Sequence, residues 1–216
     1  MRKVSSLILL VFSVLACSDE GSRTSPLNEA QIFALIQRDL MTFTSEQIGK
    51  QFTDSGSDKF FTNEILCNYS TYKVDRMTFS FNRVSCGLRE FRYTNGIDEF
   101  LIKYYLIQGV NQINENSVVY LSFFFYQDTP PNGVYTPEPF SNSPDVNIYT
   151  YNNVLKVGKN YYSSFYEFEV SHKNSSTSIT LEPSIFRNFS DETSTPDVIP
   201  GFYDNMTISA NLVCCE

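Results

Sequence analysis

The chain has no tryptophan and one histidine, His172, among its 216 residues. With no cysteine near it, that lone imidazole is not half of an evident nucleophile–base pair. Nor does it complete a tetrahedral zinc set, because the cysteines are spaced wrongly, with Cys214 and Cys215 adjacent. Nucleophile elbows, phosphate-binding glycine loops and HExxH patterns are all missing. Basic residues are scarce as well: 16 Lys and Arg stand against 24 Asp and Glu, a formal charge of −8. Such a surface repels phosphate backbones, so nucleic acid is not an expected partner. These absences lead to the expectation of no enzyme activity, no cofactor, and no catalytic, cofactor-binding or metal-binding residues.

Long apolar runs are missing too. The longest, Val4 to Leu15, is interrupted by Ser5, Ser6 and Ser13 and is too short to cross a bilayer. It follows Met1-Arg2-Lys3 and precedes Ala16-Cys17, the layout of a secretory signal. The stretch Val14-Leu15-Ala16-Cys17 resembles the bacterial lipobox, and Ser18-Asp19-Glu20 resembles the acidic tag of surface-exported Bacteroidota lipoproteins. The resemblance covers about the first twenty residues. It implies a signal peptide over 1–16, lipid attachment at Cys17, and an outer-membrane anchor facing the cell exterior. Residues 17–25 then form a short polar tether. Loss of Arg2 and Lys3 with the leader takes the charge from −8 to −10.

What the chain has in abundance is Phe and Tyr, 19 and 14 of them, which favours strands. Ser25-Pro26 predicts a helix start, and Leu27, Ile32, Phe33, Ile36, Leu40 and Phe43 form one apolar stripe. The expected helix is therefore about 26–43, with 44–58 as loop or frayed extension. From Lys59 the period becomes two. Met77, Phe79 and Phe81 alternate with polar residues, as do Tyr166, Phe168 and Val170, and again Met206, Ile208, Ala210 and Leu212. Val118 to Tyr126 is apolar on both parities and predicts a central strand covered on both faces. Asn95-Gly96 predicts a hairpin, and Asn152-Asn153, Lys159-Asn160 and Lys173-Asn174-Ser175 predict further turns. No helical pattern separates the strands, which excludes βαβ units. The fold expected over 26–216 is mainly β: a single antiparallel β-sandwich or flattened barrel with one N-terminal helix.

In an oxidising compartment Cys67, Cys86, Cys214 and Cys215 suggest disulfides in one of three connectivities, the alternative being that some are buried free thiols. A Cys67–Cys86 bridge would close the shortest loop, apart from the strained pairing of neighbours. Cys214 shares a strand face with Leu212, and Cys215 points the other way. Glu167 and Glu169 lie on one strand face and read as its solvated side; His172 reads as an exposed strand-end residue. Asp191, Glu192, Asp197 and Asp204 crowd one loop without a calcium-loop spacing. Tyr135, Tyr149, Tyr151, Tyr161 and Tyr162 fall in or beside loops and hairpin ends, where rings either fill a Trp-free core or stack on sugars. The function expected is that of a non-catalytic cell-surface lipoprotein binding an extracellular ligand, glycan or protein. The alternative is a structural or assembly component of an outer-membrane complex. Glycan binding predicts three or more Tyr rings on one exposed face; assembly predicts an open helix stripe or strand edge.

Overall fold

The computed structural model describes residues 27–53, 70–126, 129–137, 145–173, 176–188 and 199–215. Ser25, Pro26, Cys67 and the segment from Met1 to Glu20 lie outside them. Helix α1 spans Glu29–Thr53. Asn28 caps it: its Oδ1 accepts from the Gln31 backbone N–H at 2.9 Å, and Gln31 Oε1 accepts from the Asn28 N–H at 2.9 Å. This reciprocal capping box places the start at Glu29 rather than 26. The helix also outruns its expected end at 43. Thr44 and Ile48 continue the buried stripe of Leu40 at four-residue steps, so packing holds a segment whose composition suggests a loop.

Eleven strands follow: β1 (Thr71–Val74), β2 (Met77–Ser80), β3 (Arg83–Thr94), β4 (Glu99–Asn114), β5 (Ser117–Phe125) and β6 (Gly133–Tyr135). Then come β7 (Asp145–Asn152), β8 (Val157–Tyr162), β9 (Phe168–Lys173), β10 (Ser176–Asn188) and β11 (Asn205–Cys215). All pairings are antiparallel, in the order β2-β1-β11-β10-β8-β7-β5-β4-β3, with β9 beside β10 and β6 beside β9. The sheet curls into a half-barrel carrying one helix, the mainly β architecture expected.

Alternation divides the side chains between two faces. The inner face collects Tyr105, Ile107, Leu121, Phe123, Phe168, Phe186, Ile208 and Leu212 into one core. The outer face of β4 and β5 presents Ile102, Tyr104, Leu106 and Phe124 to Leu35, Ile36 and Leu40 of α1. Strand β5 is therefore buried at every position, as its two-sided apolar run predicts. The alternating runs 166–170 and 206–212 likewise bury Tyr166, Phe168, Val170, Met206, Ile208, Ala210 and Leu212. A polar clamp fixes the helix: Tyr104 O–H donates to Asp39 at 2.8 Å, and Arg89 Nε donates to the Tyr104 oxygen at 3.0 Å. The Arg89 guanidinium sits 3.8 Å from the centre of the Phe43 ring.

The rim regions of the curled sheet approach one another. Cys86 on β3 is disulfide-bonded to Cys214 on β11, with Cα atoms 6.0 Å apart. Of the three connectivities left open, this excludes the ones that pair Cys86 with Cys67 or Cys215: β3 and β11 lie side by side although 128 residues separate the two cysteines. Nearby, Asn111 Nδ2 donates to the Tyr72 hydroxyl at 2.9 Å, and burial pushes that phenol up to about 12. The Phe81 ring lies tilted against Tyr72, with centroids 4.8 Å apart, and covers Gly109, where an added Cβ would meet it at 2.6 Å.

The Asn95-Gly96 hairpin forms as expected, with Asn95 Oδ1 accepting from the Ile97 and Asp98 N–H groups at 3.0 and 2.8 Å. Asn152-Asn153 leads into the β7–β8 turn. Lys159-Asn160 does not turn; both residues pair within β8, opposite Thr150 and Tyr149. Residues 174–175 lie outside the described residues, but Lys173 and Ser176, on either side, pair with each other.

Candidate functional site

Helix α1 covers the outer face over β3, β4 and β5 and reaches the margin of β7, where Gln37 bonds Asp145. Beyond it lies the outer face of β7, β8 and the last residues of β10, and polar and aromatic side chains gather there. The row begins beneath the helix, where Gln108 Nε2 donates to Ser122 Oγ at 2.9 Å and lies 3.5 Å from Thr44 Oγ1. Ser122 pairs with Asn147 on β7. One step past the Ile148–Tyr161 pair stands Tyr162 on β8, which pairs with Arg187 on β10. The sequence thus carries a polar belt across five neighbouring strands, from a buried end at α1 to an exposed end at Arg187.

Near the buried end, Met41, Thr44, Ser122, Asn147, Tyr149 and Asn160 line a small cavity of about 40 Å³. Asn147 is only 8 % exposed and lines this cavity beside Tyr149 and Asn160. Tyr149 stacks on Tyr151 with centroids 6.5 Å apart, and its hydroxyl lies over Gly158, where any Cβ would collide with it. Burial raises the Tyr149 and Tyr162 phenols above the ordinary tyrosine value; the neighbouring Tyr151 and Asp145 respectively add to this. Both hydroxyls therefore remain donors at neutral pH.

Asp145, half-buried on the same face of β7, accepts from Gln37 Nε2 at 3.2 Å and from the Val146 N–H at 2.8 Å. Tyr166 is a third donor. Burial is the largest influence and raises this carboxyl above its usual range; the three hydrogen bonds oppose it. Because the folded value lies above the unfolded one, folding binds a proton in that window, and Asp145 loses stability as pH rises through it. Asp145→Asn is therefore expected to gain stability relative to the wild type between about pH 4 and pH 7, with little difference below. Urea midpoints measured across that range check it; a growing loss at higher pH contradicts it.

The sequence-predicted residues divide clearly. Tyr149, Tyr151 and Tyr162 come together on the outer face, half-buried. Tyr161 is fully buried in the inner core, and Tyr135 stacks on Phe168 at 5.4 Å at the edge of that core. Glu167 and Glu169 are exposed, as a solvated strand face requires. His172 departs from the exposed strand-end reading. It is half-buried, with Nδ1 2.8 Å from Thr177 Oγ1 and Nε2 against the Pro130 carbonyl. It pins the 130–132 segment to β9, since Asn132 Oδ1 also accepts from its backbone N–H. Asp204 lies 3.6 Å from Lys159 Nζ, while Asp191, Glu192 and Asp197 are outside the described residues. Among the described residues no three His, Cys, Asp or Glu side chains are grouped to hold a metal ion.

Sequence reasoning missed Asn147, Asn160 and Arg187. Asn160 was hidden by its resemblance to a turn. Arg187 was hidden by a register shift between Leu181 and Ser184, which contains Pro183. Before the shift Ile179 and Leu181 point inward; after it Phe186 does, which turns Ile185 and Arg187 outward. A proline inside an apolar alternation was the available signal. No protein-family model, curated protein or solved structure matches the chain.

Proposed function

We propose that this protein is a non-catalytic, lipid-anchored receptor of the outer membrane surface that binds carbohydrate on the outer face of β7, β8 and β10. The anchor is Cys17, as the likeness of Val14 to Cys17 to a lipobox implies. The observation carrying the ligand class is the belt itself, in which the Asn147 and Asn160 amides lie on one face with the Tyr149 and Tyr162 hydroxyls. Sugars offer many hydroxyls that both donate and accept, and apolar ring faces that pack on aromatic groups. Planar amides and protonated phenols match them. A protein partner of ordinary affinity buries a broad, well-packed surface with an apolar centre, whereas this face is polar and holds only local depressions. Asp145, with three donors on its carboxylate, serves as a positioning group rather than an acid or base.

Two measurements test the reading. Cys17→Ser is expected to move the protein from the membrane pellet to the soluble fraction; retention in the pellet contradicts the anchor. On an oligosaccharide array, the mature domain is expected to bind, and Asn147→Ala to weaken binding about tenfold, the value of one hydrogen bond to a buried amide. An array with no bound sugar, in a folded sample, removes the carbohydrate reading. In that event the edge of β3 beyond the Cys86–Cys214 bridge, at the end of the sheet order, favours assembly by strand addition.

A further inference from the structure

We infer that the exposed end of the belt is a subsite for a carboxylate-bearing sugar, with Arg187 taking the carboxylate and Phe165 the apolar face of the pyranose. The inference rests on the carbohydrate reading and names the residue of the glycan that this end recognises. A depression of about 360 Å³ lies here, lined by Tyr162, Ser163, Ser164, Phe165, Ile185 and Arg187. That volume falls within the roughly 300–1,000 Å³ usual for small-ligand sites.

Three features of the depression point to an acidic sugar. Phe165 is 86 % exposed, the most exposed large apolar side chain among the described residues. Its position is fixed nonetheless: Ser163 Oγ accepts from the Phe165 N–H at 3.2 Å and donates to the Phe165 carbonyl at 2.7 Å. A ring held out in water by its own turn is a stacking platform in waiting. Arg187 is the second feature. In a chain with 24 acids, its guanidinium makes no ion pair or side-chain hydrogen bond among the described residues, while its backbone is locked between Tyr162 and Asn205. The bulge at Pro183 is the third, because it turns Arg187 and Ile185 to the side of the sheet where Phe165 stands.

The guanidinium fork matches a planar carboxylate with two parallel hydrogen bonds. The acidic surface argues against a densely charged polyanion, since one cation does not offset repulsion along a charged chain. An isolated carboxylate on an otherwise neutral sugar avoids that cost. Two acidic groups bear on the subsite. Asp145 raises the Tyr162 phenol, but three donors occupy its carboxylate; Glu182 is exposed on the flank of the bulge. Neither engages Arg187.

The test is titration calorimetry of the full mature chain with galacturonate oligomers, each as the free acid and as the methyl ester, and with sialyllactose. The acid is expected to bind at least about tenfold more tightly than the ester, with the preference shrinking as salt rises. Arg187→Gln is expected to abolish the preference while ester binding persists, and Arg187→Lys to restore part of it. Phe165→Ala is expected to weaken acid and ester by the same factor. Preference for sialyllactose over lactose, lost in Arg187→Gln, supports the same subsite with a sialic acid as the sugar. Equal binding of acid and ester, or a preference untouched by Arg187→Gln, overturns the inference. If only neutral sugars bind, the subsite falls and the carbohydrate reading stands; if no sugar binds, both fall. Both side chains are exposed, so these variants should fold as the wild type does.

Discussion

Replacing Cys86 and Cys214 together by serine is expected to lower the unfolding free energy by about 3–5 kcal/mol. The bridge spans 128 residues, so it restricts the unfolded chain far more than a short clasp would. It also fastens β3 to β11, strands with no shared ladder, at the seam where the half-barrel comes round on itself. The hydrogen bond from Asn111 to Tyr72 and the packing of Phe81 over Gly109 lie on that seam and depend on its spacing. Urea unfolding at equilibrium, followed by tyrosine fluorescence, measures the change. A loss under about 1 kcal/mol would mean that strand pairing alone closes the sheet.

Phe168→Ala is expected to be as damaging, at about 3–5 kcal/mol. This ring is fully buried and touches four others: Phe123, Tyr135, Phe125 and Tyr166, at centroid distances of 5.1 to 5.9 Å. Its removal leaves a cavity in the middle of the largest core cluster, where no neighbour is small or flexible enough to collapse into the space. Tyr135 would lose its stacking partner and β6, only three residues long, its main apolar contact. Phe168→Leu should recover about half of the loss, because it refills most of the volume. Thermal or urea unfolding of the pair decides between this and a core that relaxes freely, in which both substitutions would cost about 1 kcal/mol.

Much of this architecture was legible in the residues. The two-sided apolar run at Val118 to Tyr126 marks the covered central strand, and the alternations at 166–170 and 206–212 mark strands whose inner faces are buried as expected. Asn95-Gly96 marks its hairpin. These signals are local, and local periodicity reports which face of a strand is buried. The pairings of β1 with β11 and of β10 with β8 join residues far apart in sequence, and no periodicity reports them. The helix was misjudged at both ends. Asn28-x-x-Gln31 is a capping box that was overshadowed by Ser25-Pro26, and Thr44 continues the stripe in spite of its low helix propensity.

The candidate site was half legible. Tyr149 and Tyr151 share a parity, so their common face follows from the sequence alone. Lys159-Asn160 reads as a turn, and no sequence signal singles out Asn147. Only the curvature of the sheet and the reach of α1 reveal that Asn147 is buried. Arg187 needed the parity change at Pro183.

Titration of the isotopically labelled domain with the best-bound oligosaccharide, followed through the asparagine side-chain amide resonances, tests the binding face most directly. The Asn147 and Asn160 amides are predicted to shift in proportion to occupancy, while the Asn111 amide, bonded to Tyr72 on the inner side, stays fixed. Saturation of the protein with both outer-face amides unmoved would contradict the account.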